Sequence, residues 1–283
     1  MLLFVFMVTA SANNVEFDGS VIRLDAVEVH FGRQRVLRDI GLTVPRGQTL
    51  AVIGESGCGK TVLLKTIIGL LRPTGGSVHF DGRNLAALSE REISHERTRF
   101  GFLFQQAALF DSMTIFQNVA FPLRQHTRKN PDEIQQIVAA RLAEVGLPEN
   151  ILNKKPAELS GGMRKRVGLA RALALEPEIM LYDEPTTGLD PIMSDVINEL
   201  ILGTRQHHPV TSIVVTHDMR TAQKVADRVV MLYPLERLHA DEPQILYDGP
   251  ADRIDQADDR RVSQFVRGEA GERLMEMRHQ NGG

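Results

Sequence analysis

The sequence predicts an α/β fold with a mainly parallel sheet, an antiparallel β edge and an inserted α-helical subdomain. Apolar strand-like runs alternate with helical stretches over most of the 283 residues, which is typical of parallel strands joined by crossover helices. An apolar run at 49–53 leads into a glycine-rich loop, and the residues at 62–68 contain no helix breaker. We expect the other elements to pack around this strand, loop and helix.

The first part of the chain predicts the antiparallel edge. Residues 21–29 mix β-branched and polar side chains as a half-exposed strand does, and 36–44 predict a second strand that turns at Pro45. The sequence PTGG at 73–76 breaks the first helix, and 77–82 predict an edge strand followed by a turn.

The later part of the chain predicts the helical subdomain and the rest of the sheet. A strand at 100–104 precedes helices with polar faces at 114–126 and 131–145, so we place the inserted subdomain at about residues 106–175. The chain then continues through a helix at 161–175, a buried strand at 179–182, a helix at 191–205 and a strand at 212–215. We expect one domain over residues 20–250.

Polar side chains follow three of the predicted strands. Gln105, Asp183 and His217 each come at a strand end, and in a parallel sheet the carboxyl ends of the strands meet at the edge where ligands bind. We also expect the strand at 179–182 to lie beside the strand at 49–53. The pattern therefore predicts a site at the edge that carries the glycine-rich loop.

Residues 54–61 (GESGCGKT) fit the phosphate-binding pattern G-x-x-x-x-G-K-[ST]. The glycines let backbone N–H groups converge on phosphate oxygens, and the helix N-terminus adds partial positive charge. Lys60 can reach the β and γ phosphates, and the Thr61 hydroxyl can ligate Mg²⁺. A chance match is expected in on the order of one chain in a hundred, and the flanking elements favour a nucleoside triphosphate site. The predicted contacts are Gly54, Glu55, Ser56, Gly57, Cys58, Gly59, Lys60, Thr61 and Val62.

Two adjacent carboxylates at a strand end can divide the work of hydrolysis. Asp183 is predicted to anchor Mg²⁺ through its water shell, and Glu184 to polarise the attacking water. His217 is predicted to contact the γ-phosphate and hold the water geometry. An Asp–Glu pair or a histidine at a strand end is often only structural, but the nearby phosphate loop favours the catalytic interpretation.

A second helix start can also bind an anion. Ser160 is a good N-cap, and Gly161 and Gly162 leave backbone N–H groups accessible. Plain helix capping would explain these residues in isolation. On a chain that already has a phosphate loop, they suggest contact with the γ-phosphate of a partner's nucleotide.

Composition excludes some classes of function. With 42% hydrophobic residues and a net charge of −3, the chain is globular and has no basic footprint for nucleic acid. The only cysteine, Cys58, excludes an internal disulfide and fits a reducing compartment. Its position near Lys60 and a helix N-terminus can activate a thiol, which predicts that alkylation blocks nucleotide binding. The alternative, which we favour, is that a small residue simply fits there.

The two termini carry weaker signals. Residues 2–8 are apolar and residues 10–12 imitate a signal-peptide cleavage site, but no basic segment precedes them and the run is too short to cross a bilayer. We expect 1–19 to be a disordered or misassigned leader, with Met7 as an alternative start. The charged tail at 251–283 predicts a solvated helix, although its arginines could also form a basic patch.

The motifs together resemble the nucleotide-binding subunits of ABC transporters. In family order they are the Walker A loop (54–61), Gln105 of a Q-loop, the signature LSGGM (159–163), the Walker B segment (179–184), the D-loop (188–190) and His217. The resemblance implies a P-loop NTPase core of the ABC type that binds ATP with Mg²⁺.

The family resemblance also implies roles for particular residues. It implies a head-to-tail homodimer, in which each ATP lies between one chain's phosphate loop and Ser160, Gly161 and Gly162 of the other. Phe31 would stack on adenine, since phenylalanine keeps the π-face of the more usual tyrosine. Gln105 would join Thr61 and Asp183 around the metal, and Asp190 would help couple the two sites.

A narrower resemblance concerns the transported substrate. Residues 104–113, 118–123, 161–166 and 265–268 are similar to the Mla/MCE-linked ATPases that drive phospholipid movement between bacterial membranes. In that branch the C-terminal tail can grip the neighbouring subunit. The similarity implies a peripheral protein on the cytoplasmic face of a bacterial inner membrane, a separate permease and an MCE-type lipid-binding protein.

Two alternatives remain at this point. The chain could power a small-solute importer fed by a binding protein, although residues 106–123 argue against it. It could also be a soluble ABC ATPase of DNA repair or translation. Repair members carry long coiled coils between their motifs and translation members carry two motif sets, whereas this chain has one set and no such insertion.

Overall fold

The computed structural model describes residues 19–270 and confirms the predicted α/β class. Within that range, a six-stranded mainly parallel sheet and a four-stranded antiparallel sheet pack with helices. No helix of the described range is both long and apolar enough to cross a membrane. Residues 1–18 of the expected leader, and the tail beyond residue 270, lie outside the described residues.

Every predicted strand is present close to its expected position. The strands of the described residues are β1 (Ser20–Phe31), β2 (Gln34–Pro45), β3 (Thr49–Ile53), β4 (Gly75–Phe80), β5 (Arg83–Asn84), β6 (Phe100–Leu103), β7 (Ile179–Asp183), β8 (Thr211–Val215), β9 (Arg228–Leu232) and β10 (Ile245–Pro250). Three of them, β5, β9 and β10, were not predicted.

The helices of the described residues are α1 (Lys60–Ile67), α2 (Glu90–Arg97), α3 (Ile115–His126), α4 (Pro131–Glu144), α5 (Gly161–Leu173), α6 (Pro191–His207), α7 (Met219–Val225) and α8 (Arg260–Arg267). Two of the helices, α2 and α7, were not predicted from the sequence pattern. Side-chain N-caps start several of the helices; the Thr114 hydroxyl, for example, accepts a hydrogen bond from Gln117 N, and Gln117 Oε1 accepts one from Thr114 N.

The order of strands in the main sheet is β10-β9-β3-β8-β7-β6, and only β10 is antiparallel. The expectation that the strand before Asp183 lies beside β3 is wrong, because β8 lies between them. Sequence patterns mark strands but not which strands pair. His217 therefore follows the strand that lies between the one leading to the phosphate loop and the one leading to the Asp183–Glu184 pair.

An arginine ties the antiparallel sheet to the main sheet. The Arg99 guanidinium contacts Asp81 on the turn after β4, Glu96 on α2 and Glu178 just before β7, and it lies over the Phe80 ring. These hydrogen bonds hold the pKa of the Asp81 and Glu178 carboxyls below their ordinary values. The two sheets are therefore joined by ion pairs as well as by the apolar core.

The helices α3, α4 and α5 pack on one face of the main sheet, around buried side chains such as Val119, Leu142 and Tyr182. A second apolar core lies between the two sheets, and a third lies under β9, β10 and α8. The helix predicted in the charged tail is present as α8. It is only partly solvated, because Val262 is buried and Phe265 packs against the third core.

Candidate active site

The phosphate loop opens onto a cleft of about 940 Å³, within the usual range for a ligand pocket. Several predicted residues line it together: Glu55, Ser56, Gly57, Gly59, Lys60, Thr61, Val62, Gln105, Glu184 and His217. Three strand ends therefore meet the loop at one edge of the sheet, as their positions in sequence predicted.

The loop is held largely by its own atoms. The Lys60 ammonium donates to the backbone oxygens of Gly54 and Glu55 at 2.8 and 2.9 Å, and it is buried. Gly54 has a φ of +144°, and a Cβ atom there would lie 2.2 Å from the Leu232 oxygen. Only glycine fits at this position. A phosphate entering the loop would be met by backbone N–H groups and by Lys60.

The predicted metal ligands lie next to each other. The Thr61 hydroxyl donates to the Asp183 carboxylate, with an Oγ1–Oδ1 distance of 3.0 Å, and Gln105 lines the same cleft. Burial raises the pKa of the Asp183 carboxyl above its ordinary value, against the effect of the Thr61 hydrogen bond. Hydroxyl, amide and carboxylate oxygens are hard ligands of the kind that Mg²⁺ prefers. The donor set fits Mg²⁺, and a cation there would offset the cost of the buried carboxylate.

The carboxylate of Glu184 is oriented by two neighbours. His217 Nδ1 lies 2.8 Å from Glu184 Oε2, and the Thr187 hydroxyl donates to the same oxygen at 3.0 Å. The Glu184 side chain is 11% exposed and that of His217 is 58% exposed. Glu184 also has a φ of +49°, which is uncommon for a residue other than glycine and typical of functional sites. His217 and Thr187 therefore both hold the Oε2 atom of Glu184 at the border of the cleft.

Other predicted residues lie outside the cleft lining. Phe31 is 50% exposed at the end of β1. Ser160 accepts a hydrogen bond from Met163 N as the N-cap of α5, and Gly161 follows it on the surface. Asp190 caps α6 through Ile192 N and Met193 N. Within the described residues, the signature segment and the phosphate loop of one chain do not share this cleft.

The last part of the chain supplies cleft residues that the sequence pattern did not identify. Tyr233, Arg237, Arg261 and Phe265 line the cleft as well. Arg237 forms an ion pair with Glu55 of the phosphate loop at 2.8 Å, and the guanidinium carbons of Arg237 and Arg261 lie 5.1 and 5.2 Å from the Tyr233 ring centroid. These residues do not form a recognisable sequence motif. Their place in the cleft therefore depends on the fold.

Cys58 is buried at 2% exposure, and its environment suppresses reactivity. Burial raises the pKa of the thiol above its ordinary value and outweighs the opposing effect of Lys60. Gln244 lies behind it, donates to Cys58 O at 3.2 Å and to Val36 O at 3.0 Å, and is itself buried. This geometry favours the view that Cys58 fills space.

Comparison with known protein families matches residues 37–187 to the ABC transporter family. The matched segment begins in β2 and ends just after the Asp183–Glu184 pair, so it includes the phosphate loop and the signature segment.

Individual relatives cover nearly the whole chain. A probable ribonucleotide transport ATP-binding protein, mkl, of Mycobacterium tuberculosis is 43% identical over 250 residues, covering 88% of this chain and 67% of that protein. The intermembrane phospholipid transport system ATP-binding protein MlaF of Haemophilus influenzae is 43% identical over 237 residues, covering 83% and 86%. MlaF of Escherichia coli is 40% identical over 247 residues, covering 87% and 88%.

Solved structures give the same result for the fold. CbiO1 of Clostridium perfringens, part of the ABC transporter complex cbiONQ, has a TM-score of 0.73 at 26% identity over 93% of this chain and 99% of its own. A dimeric ATP-binding cassette in a post-hydrolysis state with ADP and Pi has a TM-score of 0.69 at 32% identity, covering 75% and 94%. Sequence, fold and cleft agree that the chain belongs to the ABC transporter family, as a cassette that binds and hydrolyses ATP.

Proposed function

We propose that this cassette powers the movement of phospholipid across a bacterial cell envelope. In this proposal it works as a homodimer on the cytoplasmic face of the inner membrane, docked on a separate permease that acts with an MCE-type lipid-binding protein. Support comes from the similarity to two MlaF proteins over more than four fifths of this chain. The cassette itself provides no path for the lipid and contributes the energy of ATP hydrolysis.

The phosphate loop binds the triphosphate of ATP. Backbone N–H groups of residues 54–61 surround the phosphates. The Lys60 ammonium leaves the backbone oxygens of Gly54 and Glu55 and binds the β and γ phosphates instead. Phe31 stacks on the adenine ring; its half-exposed side chain supports this role because a buried ring would have no free face.

Thr61, Gln105 and Asp183 would hold Mg²⁺ at the phosphate loop. The ion would supply positive charge that offsets the charge of the phosphate groups. The contact between Thr61 and Asp183 supports this assignment, because it brings two hard oxygen donors together at the N-terminus of α1.

Glu184 polarises the water that attacks the γ-phosphate. Its carboxylate, held through Oε2 by His217 and Thr187 at the border of the phosphate-loop cleft, is the observation that carries the proposed mechanism. A fixed carboxylate orients the water and accepts its proton without rearrangement at the moment of reaction. His217, on the exposed side of Glu184, keeps the water and the γ-phosphate aligned.

A second copy of the chain completes each site. Ser160 and Gly161 are exposed and lie outside their own chain's cleft, so the N-terminus of α5 is available to the γ-phosphate of a partner's ATP together with Gly162. Asp190, at the start of α6, helps couple the two sites. ATP closes this dimer and hydrolysis reopens it, while residues 105–118 carry the movement to the permease.

Substitution of the carboxylate tests the mechanism. We expect Glu184→Gln to keep ATP binding, to lower kcat by about 10²-fold or more, and to trap a dimer in the presence of ATP. Glu199→Gln, an exposed change on α6, is the matched control and should leave turnover unchanged. Substantial residual turnover in Glu184→Gln would remove Glu184 from the catalytic role.

The substrate is tested by mass spectrometry of what co-purifies with the cassette from mildly solubilised native membranes. A permease with an MCE-type protein and bound phospholipid is the expected result. A permease with a small-solute binding protein, in keeping with the ribonucleotide transport named for the mycobacterial relatives, would keep the ATPase mechanism and overturn the lipid assignment. ATPase stimulation by nucleic acid or ribosomes would overturn the transport role altogether.

A further inference from the structure

A buried lysine links the signature helix to the loop that carries Glu184. Lys165 lies on the second turn of α5, five residues after the N-cap Ser160, and is 6% exposed. Its ammonium donates to three backbone oxygens, those of Glu184 at 3.1 Å, Pro185 at 2.7 Å and Thr187 at 2.8 Å. All three N–H donors of the side chain are therefore used on one short segment.

That segment has a backbone that needs outside support. Glu184 adopts the uncommon φ of +49°, and its N–H donates to Val215 O on β8 at 2.8 Å. Its carbonyl is held from the other side by Lys165. The side chains of His217 and Thr187 then fix the carboxylate. The backbone of Glu184 is thus clamped between β8 and α5 before its side chain meets the cleft.

We propose that Lys165 is a positioning residue for ATP hydrolysis, which holds the 184–187 backbone so that the Glu184 carboxylate faces the attacking water. The inference rests on the proposed role of Glu184. Lys165 and the N-cap Ser160 belong to the same helix. Lys165 therefore connects the N-terminus of α5, which we propose contacts the partner's ATP, with Glu184 in the chain's own site.

The proposal predicts a dependence of turnover on pH, because the bonds to the loop use the protons of the Lys165 ammonium. Burial lowers the pKa of its ammonium to about 8, although the charge of Glu184 opposes this shift. The charged and titratable side chains on Lys165's own helix and around the loop that it binds include Asp183 and Glu184, His217 in contact with Glu184, Asp190 before α6, and Arg164 and Arg166 on α5. The two arginines are directed elsewhere, to Leu159 O and to Val145 O and Gly146 O. Loss of the proton removes one of the three donors to the loop.

Two substitutions separate positioning from general stability. Lys165→Met keeps the length and removes every donor, and we expect kcat to fall on the order of 10²-fold with ATP Kd within about twofold, since misplacement of a catalytic group by about 1 Å has effects of that size. Lys165→Gln keeps two N–H donors and should recover about tenfold of that loss. Lys224→Met, at an exposed ion pair on α7, is the control and should not change kcat.

The pH profile and a double-mutant cycle complete the test. Wild-type kcat should fall above pH 8, and this alkaline limb should be absent in Lys165→Gln, which has no proton to lose. In a Glu184→Gln background, Lys165→Met should cause no further loss of turnover because both act through one carboxylate.

The possible failures are distinguishable. Wild-type kcat in folded Lys165→Met, an equal loss of ATP binding, or an alkaline limb that persists in Lys165→Gln would each overturn the positioning role and leave Glu184 in place. If Lys165→Met does not fold, Lys165→Gln and its pH profile decide the matter. Full turnover in Glu184→Gln would overturn the proposed function and this inference together.

Discussion

Two loops of the cleft are built in opposite ways. The phosphate loop, residues 54–61, is shaped by its own glycines and by Lys60, which bonds two backbone oxygens of the same loop. The loop at 105–114 has no glycine, yet Ala107 and Ala108 both have positive φ. Their conformation is held from outside, because Arg171 on α5 donates to both of their carbonyl oxygens at 2.7 and 2.8 Å.

A second outside support fastens the far end of the 105–114 loop. Asn118 on α3 is fully buried, accepts from Phe110 N, and donates to oxygens of Phe110 and Thr114. The difference between the loops has a functional meaning. A loop that holds its own shape suits phosphate binding, whereas a loop held by two helices of the helical subdomain moves when those helices move.

The largest expected effect comes from the phosphate loop. Gly54→Ala places a Cβ atom 2.2 Å from Leu232 O and 2.8 Å from Cys58 Sγ, and it requires a φ of +144°. We expect ATP binding to be lost and the free energy of unfolding to fall by at least about 3 kcal/mol. Urea denaturation and calorimetric ATP titration measure the two effects.

A neighbouring glycine is the control for this change. At Gly57 an added Cβ atom meets no atom within 4 Å, and the cost is the strain of its positive φ alone, about 1 kcal/mol. Equal effects of Gly54→Ala and Gly57→Ala would show that close packing against Leu232 does not define the loop.

Asn118→Ala tests the outside support of the 105–114 loop. The change leaves Phe110 N and several carbonyl oxygens without their buried partner, so we expect a loss of about 2–3 kcal/mol in the free energy of unfolding. ATP affinity should stay within about threefold, because the phosphate loop does not depend on this residue. A comparable loss of ATP binding would mean that the two loops are not independent. Gln117→Ala, at the exposed cap of the same helix, should cost only about 1 kcal/mol.

Arg171→Met should have a smaller effect on stability, about 1–2 kcal/mol, because it removes two hydrogen bonds and leaves carbonyl oxygens that water can reach in part. We expect faster amide hydrogen exchange in residues 105–114 and unchanged exchange in 54–61. Arg171→Lys keeps a positively charged donor group at a single nitrogen, so its loss of stability should be smaller than that of Arg171→Met. Exchange that is unchanged in 105–114 would contradict the support that we assign to Arg171.

The smallest effect concerns the thiol of the phosphate loop. Because burial raises the pKa of Cys58, less of the reactive thiolate exists at neutral pH, and the labelling rate of native protein should be low and rise from pH 7 to 9 without a plateau. Cys58→Ala should keep ATP affinity within about threefold, measured by titration. Rapid native labelling that abolishes ATP binding would instead support an activated thiol and a more open loop.

The same contrast explains which parts of the site could be predicted. The phosphate loop follows a local pattern in which each residue acts on its sequence neighbours, so residues 54–61 and the helix after them were recognisable directly. Gln105, Glu184 and His217 were found because the ends of parallel strands meet, which is also a simple rule. The cleft residues Tyr233 and Arg261 follow no such rule, and the sequence pattern missed them.

The order of the strands in the main sheet is a second feature that the sequence pattern did not predict. The strand pattern was sufficient to identify β3, β7 and β8, but not to place β8 between the other two. A strand's own residues fix its period and burial, while its neighbours depend on hydrogen bonds between distant segments. His217 was expected at the cleft and lines it, but the position of its strand between β3 and β7 was not predicted.

By itself, the sequence determined the α/β class, the phosphate loop and the position of the two carboxylates at a strand end, since these depend on local backbone preferences and on short, fixed spacings. Only the tertiary structure decided which distant groups support that chemistry. Lys165 and Arg171 bond to backbone oxygens that are distant in sequence, and Asn118 bonds to the Phe110 oxygen of the loop before its helix; any residue can supply a backbone oxygen. Such contacts leave no mark on the sequence of the segment that receives them, because the receiving atom is the same in every amino acid.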